Sequence, residues 1–250
     1  MSIEKTANYY DTHWQNFADL DYPQVKLDKV KNFFSPVISE ITEGKKLLDV
    51  GCGDGVHWQY LKRIAEKPVN YRGVDISENA ITILTEHFAS PDDQFSVMDA
   101  CDLKFPDETF DLVFSYGVIG YTDDPFPALA EMVRVCRRNG WVGLFSPEIG
   151  GISKTILETV RGISTKLGPK GKKALADLMV PFFGFAPSET QISLRNASWK
   201  QVREVIMTDI APPKLDILTH EEIEGWYKNL NVAIRFEDAE QRTTVWGKKL

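Results

Sequence analysis

The chain has 250 residues, of which 43% are hydrophobic, and its formal net charge is −7. This length predicts one domain, or one domain with a smaller attached part, and the apolar fraction is sufficient for a sizeable core. An acidic chain is a poor partner for nucleic acid or an anionic membrane, and no apolar run approaches the ~20 residues of a membrane span, so we expect neither a nucleic-acid partner nor a membrane span.

Residues 1–43 carry the apolar spacing of helices. Two groups of side chains lie at helical intervals, namely Tyr9, Tyr10, Trp14 and Phe17, and then Val30, Phe33, Phe34, Val37, Ile38 and Ile41. The first residues lack the apolar segment of a signal peptide, which indicates a cytoplasmic protein. We predict an N-terminal helical cap over residues 1–43.

Residues 44–147 alternate short β-type runs with helical stretches. The runs are Lys46–Gly51, Val69–Asp75, Gln94–Met98, Phe110–Ser115 and Trp141–Ser146. Such alternation predicts parallel strands connected by helices on both faces of a sheet. Ser77 is placed to cap the helix after the second strand. Asp124-Pro125 begins a helix that we expect to run to about Arg138 and to end at Asn139-Gly140.

Residues 148–230 form a predicted helical insert. Its apolar stretch Val180–Phe185, together with Trp199 and Trp226, favours either an apolar acceptor pocket or packing of the insert onto the core. A mild basic cluster is interpreted as a solvated helix end and loop, and it consists of Lys166, Lys170, Lys172 and Lys173. Thr219 and Glu222 have the spacing of a capping box, which predicts a helix through Trp226.

Two β-type runs, Val232–Glu237 and Arg242–Lys248, close the chain, and the short polar link between them predicts an antiparallel pair. Together the elements predict an α/β fold, with a Rossmann-like sheet of seven mostly parallel strands and a terminal antiparallel β pair. The predicted parts are the N-terminal cap at 1–43, a cofactor-binding core at 44–147, the insert at 148–230 and a terminal β hairpin at 231–250.

The segment from Asp49 to Gly55 carries most of the functional information. An apolar strand runs into glycines at alternate positions, Gly51, Gly53 and Gly55, so that a ligand can lie against bare backbone. Asp75 ends the next apolar run, 20 residues after Gly55. At that distance a nucleotide-binding α/β unit places a carboxylate on the ribose hydroxyls. The spacing therefore predicts a nucleoside-containing ligand at this edge.

The charges around the glycines restrict the ligand further. The dinucleotide fingerprint needs glycine at the position of Val56, which disfavours a nicotinamide-dependent oxidoreductase. Asp49 and Asp54 add negative charge where a pyrophosphate needs an open helix N-terminus. A ligand with a cationic group and no phosphate suits this edge, and S-adenosylmethionine carries an ammonium and a sulfonium. The three cysteines are widely spaced without a CxxC pair, so no metal site is predicted.

These segments resemble the class I S-adenosylmethionine-dependent methyltransferase family, and most closely its ubiquinone/menaquinone-biosynthesis-type small-molecule branch. The resemblance covers about residues 44–147 and rests on the segments Leu47–Gly55, Gly73–Ser77, Met98–Asp107, Phe110–Ser115 and Glu131–Trp141. The chain has Arg138-Asn139-Gly140 where the family usually has Lys-Pro-Gly-Gly, in a turn remote from the cofactor.

The resemblance implies that S-adenosylmethionine is the cofactor and S-adenosylhomocysteine the product. It implies that Asp75 holds the ribose hydroxyls, that Asp99 accepts a hydrogen bond from the adenine amino group, and that the Ala100 amide contacts the ring. The expected cofactor-binding residues are Asp49, Gly51, Cys52, Gly53, Gly55, Asp75, Ile76, Asp99, Ala100, Ser115 and Tyr116.

Methyl transfer is an in-line displacement, in which positioning of the acceptor accounts for much of the rate and a base is needed only when the acceptor must lose a proton. The candidate bases are His220, Tyr116 and His13. His13 has the simpler interpretation of helix packing and His220 that of a surface residue, whereas Tyr116 is expected to line the methyl-donor end. His57 is expected to pack in the core or to make a polar contact near the cofactor. The expected acceptor contacts are Tyr9, Tyr10, Tyr121, Phe183 and Trp226.

The acidic charge and the apolar insert favour a small, partly apolar molecule as methyl acceptor. The alternative is a non-catalytic S-adenosylmethionine-binding regulator or subunit on the same fold. The sequence leaves open which molecule and which atom is methylated, whether a base is used, and the oligomeric state.

Overall fold

The computed structural model describes residues 3–15, 30–64, 69–88, 94–146, 151–183, 199–216, 218–238 and 244–250. Seven strands form one sheet in the order β3-β2-β1-β4-β5-β7-β6. Their bounds are β1 Lys46–Val50, β2 Asn70–Asp75, β3 Gln94–Val97, β4 Phe110–Tyr116, β5 Cys136–Phe145, β6 Val232–Glu237 and β7 Thr244–Lys249.

Strands β1 to β5 are parallel, and β7 lies antiparallel between β5 and β6. The predicted fold class, a mostly parallel seven-stranded sheet with an antiparallel terminal pair, is confirmed. The strand order changes direction at β1. From β1 the chain adds β2 and β3 on one side of the sheet, and it then returns to add β4 on the other side of β1. Ligands bind at such a switch point, beyond the carboxyl ends of the strands.

Besides two short 3-10 helices, Ser35–Glu40 and Ile119–Tyr121, eight α-helices lie wholly within the described residues. Their bounds are α1 Ile3–Gln15, α2 Val56–Ile64, α3 Glu78–Phe88, α4 Pro125–Val135, α5 Gly151–Ser164, α6 Pro169–Phe183, α7 Trp199–Ile210 and α8 His220–Asn229. The capping box predicted for α8 is present, with Thr219 and Glu222 each bonded to the other's backbone amide. Within the described residues, no helix combines the length and the hydropathy required to cross a bilayer.

The junction between α4 and β5 differs from the prediction. The helix ends at Val135, not near Arg138, and β5 begins at once with Cys136. Cys136 is paired with Phe110, whereas the next paired residue, Trp141, faces Leu112, so the intervening residues bulge out of the strand. Asn139 takes a positive φ of 59° in this bulge. The Asn-Gly pair therefore shapes a bulge within a strand instead of ending a helix, a conformation that Asn tolerates better than most residues.

The core lies on both faces of the sheet because successive side chains of a strand point to opposite faces. Along β4, Val113 belongs to the cluster that contacts α4 and α8, while Leu112 and Phe114 belong to the cluster on the other face. Trp246 is fully buried in that second cluster, and its indole nitrogen donates to the Phe33 carbonyl at 2.7 Å. These long-range contacts fix the carboxyl ends of the central strands.

The chain divides into two compact units, residues 1–148 with 216–250, and residues 149–215. The sheet belongs to the first unit, and α5, α6 and α7 form the second. Two hydrogen bonds to the end of α7 connect the helices of this second unit: Ser164 donates to the Ile210 carbonyl at 2.6 Å, and Lys172 to the Ala211 carbonyl at 2.7 Å.

The second unit is shorter than the predicted insert of residues 148–230. Helix α8 clusters with the sheet unit because Ile223 and Tyr227 are buried in its core, where the Tyr227 hydroxyl donates to the Val142 carbonyl at 3.3 Å. A helical apolar pattern predicts that a helix buries one face, and the tertiary contacts determine which unit receives that face.

Candidate functional site

The glycine turn lies beyond the carboxyl end of β1. Gly51, Gly53 and Gly55 have φ values of 82°, 49° and 74°, which side chains with a Cβ rarely adopt. A Cβ at Gly51 would lie 2.4 Å from a methyl group of Val118. The turn is held against β2, because the amides of Gly51 and Cys52 both donate to the Val74 carbonyl, at 2.7 and 3.0 Å. The alternate glycines therefore serve backbone geometry at a ligand-binding edge.

Asp75 connects this turn to the next helix. It ends β2, is 9% exposed, and accepts from the Gly53 amide at 2.9 Å with one oxygen and from the Ser77 amide at 3.0 Å with the other. Burial raises the pKa of Asp75 to about 6, although these backbone hydrogen bonds act in the opposite direction. Each carboxylate oxygen has a second lone pair, so hydrogen bonds from ribose hydroxyls are chemically compatible with both backbone contacts.

Asp49 is fully buried beneath the turn. One of its oxygens accepts from the Tyr71 hydroxyl at 2.5 Å and pairs with Nδ1 of His57 at 3.0 Å. Its other oxygen, Oδ1, has no partner within the described part of the chain. This buried, incompletely paired carboxylate places negative potential at the turn, which fits a cationic ligand and disfavours a pyrophosphate.

His57 is a core residue bonded to Asp49. Its ring lies 5.6 Å from that of Phe114 and 5.1 Å from that of Tyr116, and the residue is 4% exposed. Of the two expected roles, the geometry supports core packing. Because Nδ1 faces a carboxylate, it carries the proton in the neutral ring, and the histidine orients Asp49.

A cavity of about 340 Å³ lies at the ends of β2 and β3, beside α1. It is lined by Glu4, Ala7, Ile76, Val97, Met98, Asp99, Asp102 and Lys104. Its volume is at the lower end of the range of small-molecule sites, about 300–1,000 Å³. The cavity therefore brings together Ile76 and Asp99, two of the residues expected at the adenosine end, and one Asp99 oxygen already accepts from the Cys101 amide at 2.9 Å.

Helix α1 is attached to this edge through Asp11. One carboxylate oxygen of Asp11 accepts from the Ser77 hydroxyl at 2.6 Å and from the Asn79 amide at 3.2 Å. The Asn79 side-chain amide returns a hydrogen bond to the Asp11 carbonyl at 3.1 Å. Asp11 thus supplies negative charge to the N-terminus of α3, where the helix dipole favours it. Ser77 also caps the helix as predicted, by accepting from the Ala80 amide at 3.2 Å.

The carboxyl end of β4 carries Ser115 and Tyr116. Ser115 is fully buried and donates to the Val50 carbonyl at 2.8 Å, which ties β4 to the glycine turn. Tyr116 stacks on Phe145 with ring centroids 4.0 Å apart. Burial raises the pKa of Tyr116 above that of an ordinary tyrosine. Its hydroxyl is therefore protonated at neutral pH, which argues against a role as a base.

Two predicted acceptor contacts lie together. The rings of Tyr10 and Tyr121 are 6.3 Å apart in an edge-to-face arrangement, and Tyr9 contacts Tyr10 at 5.1 Å. Trp226 instead packs against Phe126 of α4 at 5.9 Å, which supports its packing interpretation. The side chains of His13 and Phe183 lie outside the described part of the chain, so their predicted roles stay predictions.

His220, another candidate base, lies apart from the glycine turn. It begins α8, and its Nε2 pairs with Glu237 of β6 at 2.9 Å. Strand β6 is four strand positions from β1, about 19 Å at ~4.8 Å per strand. The structure therefore does not bring His220 together with Asp49, Asp75 or the cavity.

Three contributors to the site were missed or only partly identified from the sequence. Tyr71 bonds Asp49, Asp11 bonds α3, and Ser77 was identified only as a cap. Tyr71 lies 22 residues from its partner and Asp11 lies 66 residues from Ser77, so no local spacing could have indicated either contact. For Asp11, the neighbouring Tyr9 and Tyr10, which were expected at the site, were the one local sign that this part of α1 lies near it.

Residues 48–144 match the family model described as methyltransferase domain. The chain is 34% identical over 104 residues to a phosphatidylethanolamine N-methyltransferase of Cereibacter sphaeroides, covering 40% of this chain and 49% of that protein. It is 31% identical over 112 residues to a fatty-acid O-methyltransferase of Mycolicibacterium smegmatis, covering 45% and 40%. The aligned segments thus span about half of these relatives or less.

Two further similarities extend over nearly the whole chain. A tRNA U34 carboxymethyltransferase of Methylococcus capsulatus is 27% identical over 246 residues, covering 95% of this chain and 67% of that protein. A methyltransferase chain in a complex with the Haloferax volcanii Trm112 methyltransferase activator superimposes with a TM-score of 0.61 at 15% identity, covering 96% and 97%. At that identity the superposition shows the fold alone.

Residues 48–144 are thus similar to a methyltransferase domain, and the methyltransferase relatives indicate S-adenosylmethionine as the cofactor of that segment. The relatives include several methyltransferase types, so they do not single out the ubiquinone/menaquinone branch, and they do not favour the non-catalytic alternative. The residues present fit the cofactor. The bare backbone of the glycine turn, the unpaired Asp49 oxygen and the cavity beside Asp99 suit a nucleoside with a cationic amino-acid end and no phosphate.

Proposed function

We propose that this chain transfers a methyl group from S-adenosylmethionine to a small, partly apolar molecule, and that catalysis comes mainly from positioning. The observation that carries this proposal is the convergence of the glycine turn, Asp75 and the Asp99 cavity at one edge of a methyltransferase domain. The cofactor would be held by residues that the backbone has already fixed in place.

Each group at this edge has a separate task. We assign the ribose to Asp75, the adenine to the cavity that Ile76 and Asp99 line, and the amino-acid end to the glycine turn above Asp49. When bound, the cofactor supplies an electrophilic methyl carbon on a sulfonium leaving group. The chain itself contributes orientation and exclusion of water, which can supply roughly 7–11 kcal/mol of barrier reduction.

Proton transfer is a minor part of this proposal. The Tyr116 hydroxyl is protonated, and His57 is committed to Asp49. His220 lies about four strands away, at β6. Because none of these three residues is placed to act as a base, we propose an acceptor that is nucleophilic without a base, or one that loses its proton to solvent.

The acceptor is proposed to contact the aromatic group formed by Tyr9, Tyr10 and Tyr121, at the edge where β4 ends. The relatives named for phosphatidylethanolamine and fatty acids support an acceptor with an apolar part.

We also propose a cytoplasmic location. The three cysteines are unpaired, which is consistent with the reducing conditions of a cytoplasm. The ubiquinone/menaquinone-type branch remains our proposal for the relationship within the family.

The cofactor assignment is tested by calorimetric titration with S-adenosylhomocysteine. Asp75→Ala should weaken binding at least tenfold, about 1.4 kcal/mol. Asp124→Ala is the matched control, because Asp124 likewise accepts from an amide two residues further on, at 3.2 Å from Phe126, and caps α4. Equal effects of the two variants would assign Asp75 a capping role alone.

The acceptor is tested by transfer of a radiolabelled methyl group to separated fractions of a cell extract. Label in the lipid or small-molecule fraction is expected. A second candidate acceptor is transfer RNA, because the relative that aligns with 95% of the chain is named for it. Label confined to RNA would replace the small-molecule proposal, and cofactor binding without transfer to any fraction would favour a non-catalytic protein.

A further inference from the structure

The charge of the chain is divided unevenly between its two compact units. Residues 149–215 contain ten Lys and Arg against five Asp and Glu, a formal net charge of +5. The remaining residues contain 19 Lys and Arg against 31 Asp and Glu, a net charge of −12. The overall −7 therefore conceals a basic helical unit, and the expectation that an acidic chain avoids anionic surfaces does not apply to this part.

The basic unit also exposes apolar side chains. Ten large hydrophobic residues are exposed among the described residues, and five of them lie in this unit, namely Ile156, Ile163, Leu167, Leu178 and Trp199. Among these five, Leu178 is the most exposed at 70%, followed by Ile156 at 55% and Trp199 at 53%. A small helical unit that leaves these five apolar side chains in solvent has apolar surface that its own packing does not cover.

Helix α6 combines both properties on one face. Lys170 and Lys173 are three residues apart, as are Leu178 and Pro181, and all four are exposed, with the lysines toward the N-terminus and the apolar residues toward the C-terminus. Trp199 of α7 extends this face, because its indole nitrogen donates to Asp177 of α6 at 2.8 Å. We call these five residues, Lys170, Lys173, Leu178, Pro181 and Trp199, the basic–apolar face.

Among the described residues, Asp177 adjoins the face, and its charge is already paired. Asp177 accepts from Trp199 and pairs with Arg203 at 3.4 Å. Lys172, between the two surface lysines, is turned inward and donates to the Ala211 carbonyl, and burial lowers its pKa. The exposed lysines are thus distinct from the lysine that holds the unit together.

We infer that the basic–apolar face docks on an anionic lipid surface. Lysines adjacent to such a surface contribute attraction to the head groups, while Leu178 and the Trp199 ring can enter the boundary between head groups and acyl chains. Tryptophan suits that boundary because its ring is apolar and its N–H is polar. The inference stands on charge and exposure, and so it goes beyond the proposed methyl transfer and does not depend on it. A lipid surface is favoured over RNA because aliphatic side chains occupy the same face as the lysines.

The test is flotation of the full chain with vesicles of phosphatidylcholine, with and without phosphatidylglycerol. Binding is expected only to the anionic vesicles and should weaken with added salt. The double variant Lys170→Glu with Lys173→Glu should lower the affinity about tenfold or more. Leu178→Ser should lower it about threefold or more while leaving the salt dependence unchanged.

The matched controls change the same properties in the other unit. Lys31→Glu with Lys228→Glu makes an equal change in net charge at exposed lysines, and Ile38→Ser removes an exposed aliphatic side chain. Both should bind vesicles as the unaltered chain does. Circular dichroism melting of every variant establishes that it is folded.

Three outcomes would overturn the inference. One is absence of binding to anionic vesicles, and another is equal loss in the control variants. The third is evidence that the face binds another partner. Such evidence would be binding of bulk transfer RNA that the variant Lys170→Glu with Lys173→Glu abolishes, or a dimer detected by sedimentation that Leu178→Ser dissociates. None of these measurements uses the cofactor, so failure here and failure of the proposed methyl transfer are separate results.

Discussion

The sheet unit and the helical unit of this chain use their polar side chains in opposite ways. In the sheet unit, Asp49 and Asp75 are buried and hold the glycine turn, one through Tyr71 and His57 and the other through backbone amides. In the helical unit, Lys170 and Lys173 are exposed beside exposed apolar residues. The sheet unit thus buries these polar groups in a network of hydrogen bonds, whereas the helical unit leaves its lysines in solvent.

The largest expected effect is on the buried cluster at Asp49. Asp49→Ala would leave the Tyr71 hydroxyl and the His57 ring nitrogen without their acceptor, and should lower the free energy of unfolding by about 3–5 kcal/mol. Asp177→Ala, in the helical unit, removes a half-exposed acceptor of Trp199 and should cost under about 1 kcal/mol. Urea denaturation of both variants measures the contrast, and similar losses would remove the distinction between the units.

The next effect concerns glycines. Gly51→Ala should cost about 2–4 kcal/mol and abolish cofactor binding, because the added methyl meets Val118 and the residue has a positive φ. Gly162→Ala in α5 meets nothing within 4 Å and should stabilise the chain by about 0.5–1 kcal/mol. Denaturation midpoints of the two variants should therefore move in opposite directions. A neutral Gly51→Ala would show that the turn can relax.

A smaller effect is expected from pH. Burial raises the pKa of Asp75 to about 6 from 3.8, so the folded state holds this proton more tightly than the unfolded state does. The corresponding stabilisation is fully present below pH 3.8 and is lost as the pH rises through 6, a change of about 3 kcal/mol.

The pH effect is isolated by comparing unfolding free energies of the unaltered chain and Asp75→Asn between pH 4 and pH 7. Their difference should shift across this interval and level off above it. Cofactor affinity should follow the opposite course, because protonation below pH 6 removes acceptor capacity toward a ribose hydroxyl. If the difference in unfolding free energy does not change with pH, the pKa of Asp75 in the folded chain is near its ordinary value.

The smallest effect is on the attachment of α1. Asp11→Ala removes the acceptor of Ser77 and Asn79. It should weaken the packing of α1 against the N-terminus of α3 by about 1 kcal/mol. Dissociation of S-adenosylhomocysteine should become about fivefold faster, since Glu4 and Ala7 of the same helix line the cavity. Asn8→Ala, at an exposed position of α1, is the control. Stopped-flow displacement measures both, and unchanged release in Asp11→Ala would separate α1 from cofactor retention.

Local patterns in the sequence were sufficient for much of the fold. The short apolar runs of β1 and β4, the glycines at alternate positions and the acid ending β2 are properties of short segments, and each predicted a correct element or turn. The α4–β5 junction was predicted wrongly because Asn-Gly commonly ends helices, and only the pairing of β5 with β4 showed the bulge.

The sequence was sufficient to predict the sheet, the terminal antiparallel pair and, through the family resemblance, the type of cofactor, because apolar runs and turn residues are local features. The long-range partners that complete the candidate site, such as Asp11 with Ser77 and Tyr71 with Asp49, are seen only in the folded chain. The folded chain also shows that α8 belongs to the sheet unit and that Trp199 lies in solvent. The physical reason is that burial and pairing are properties of the whole packed chain, which no short segment contains.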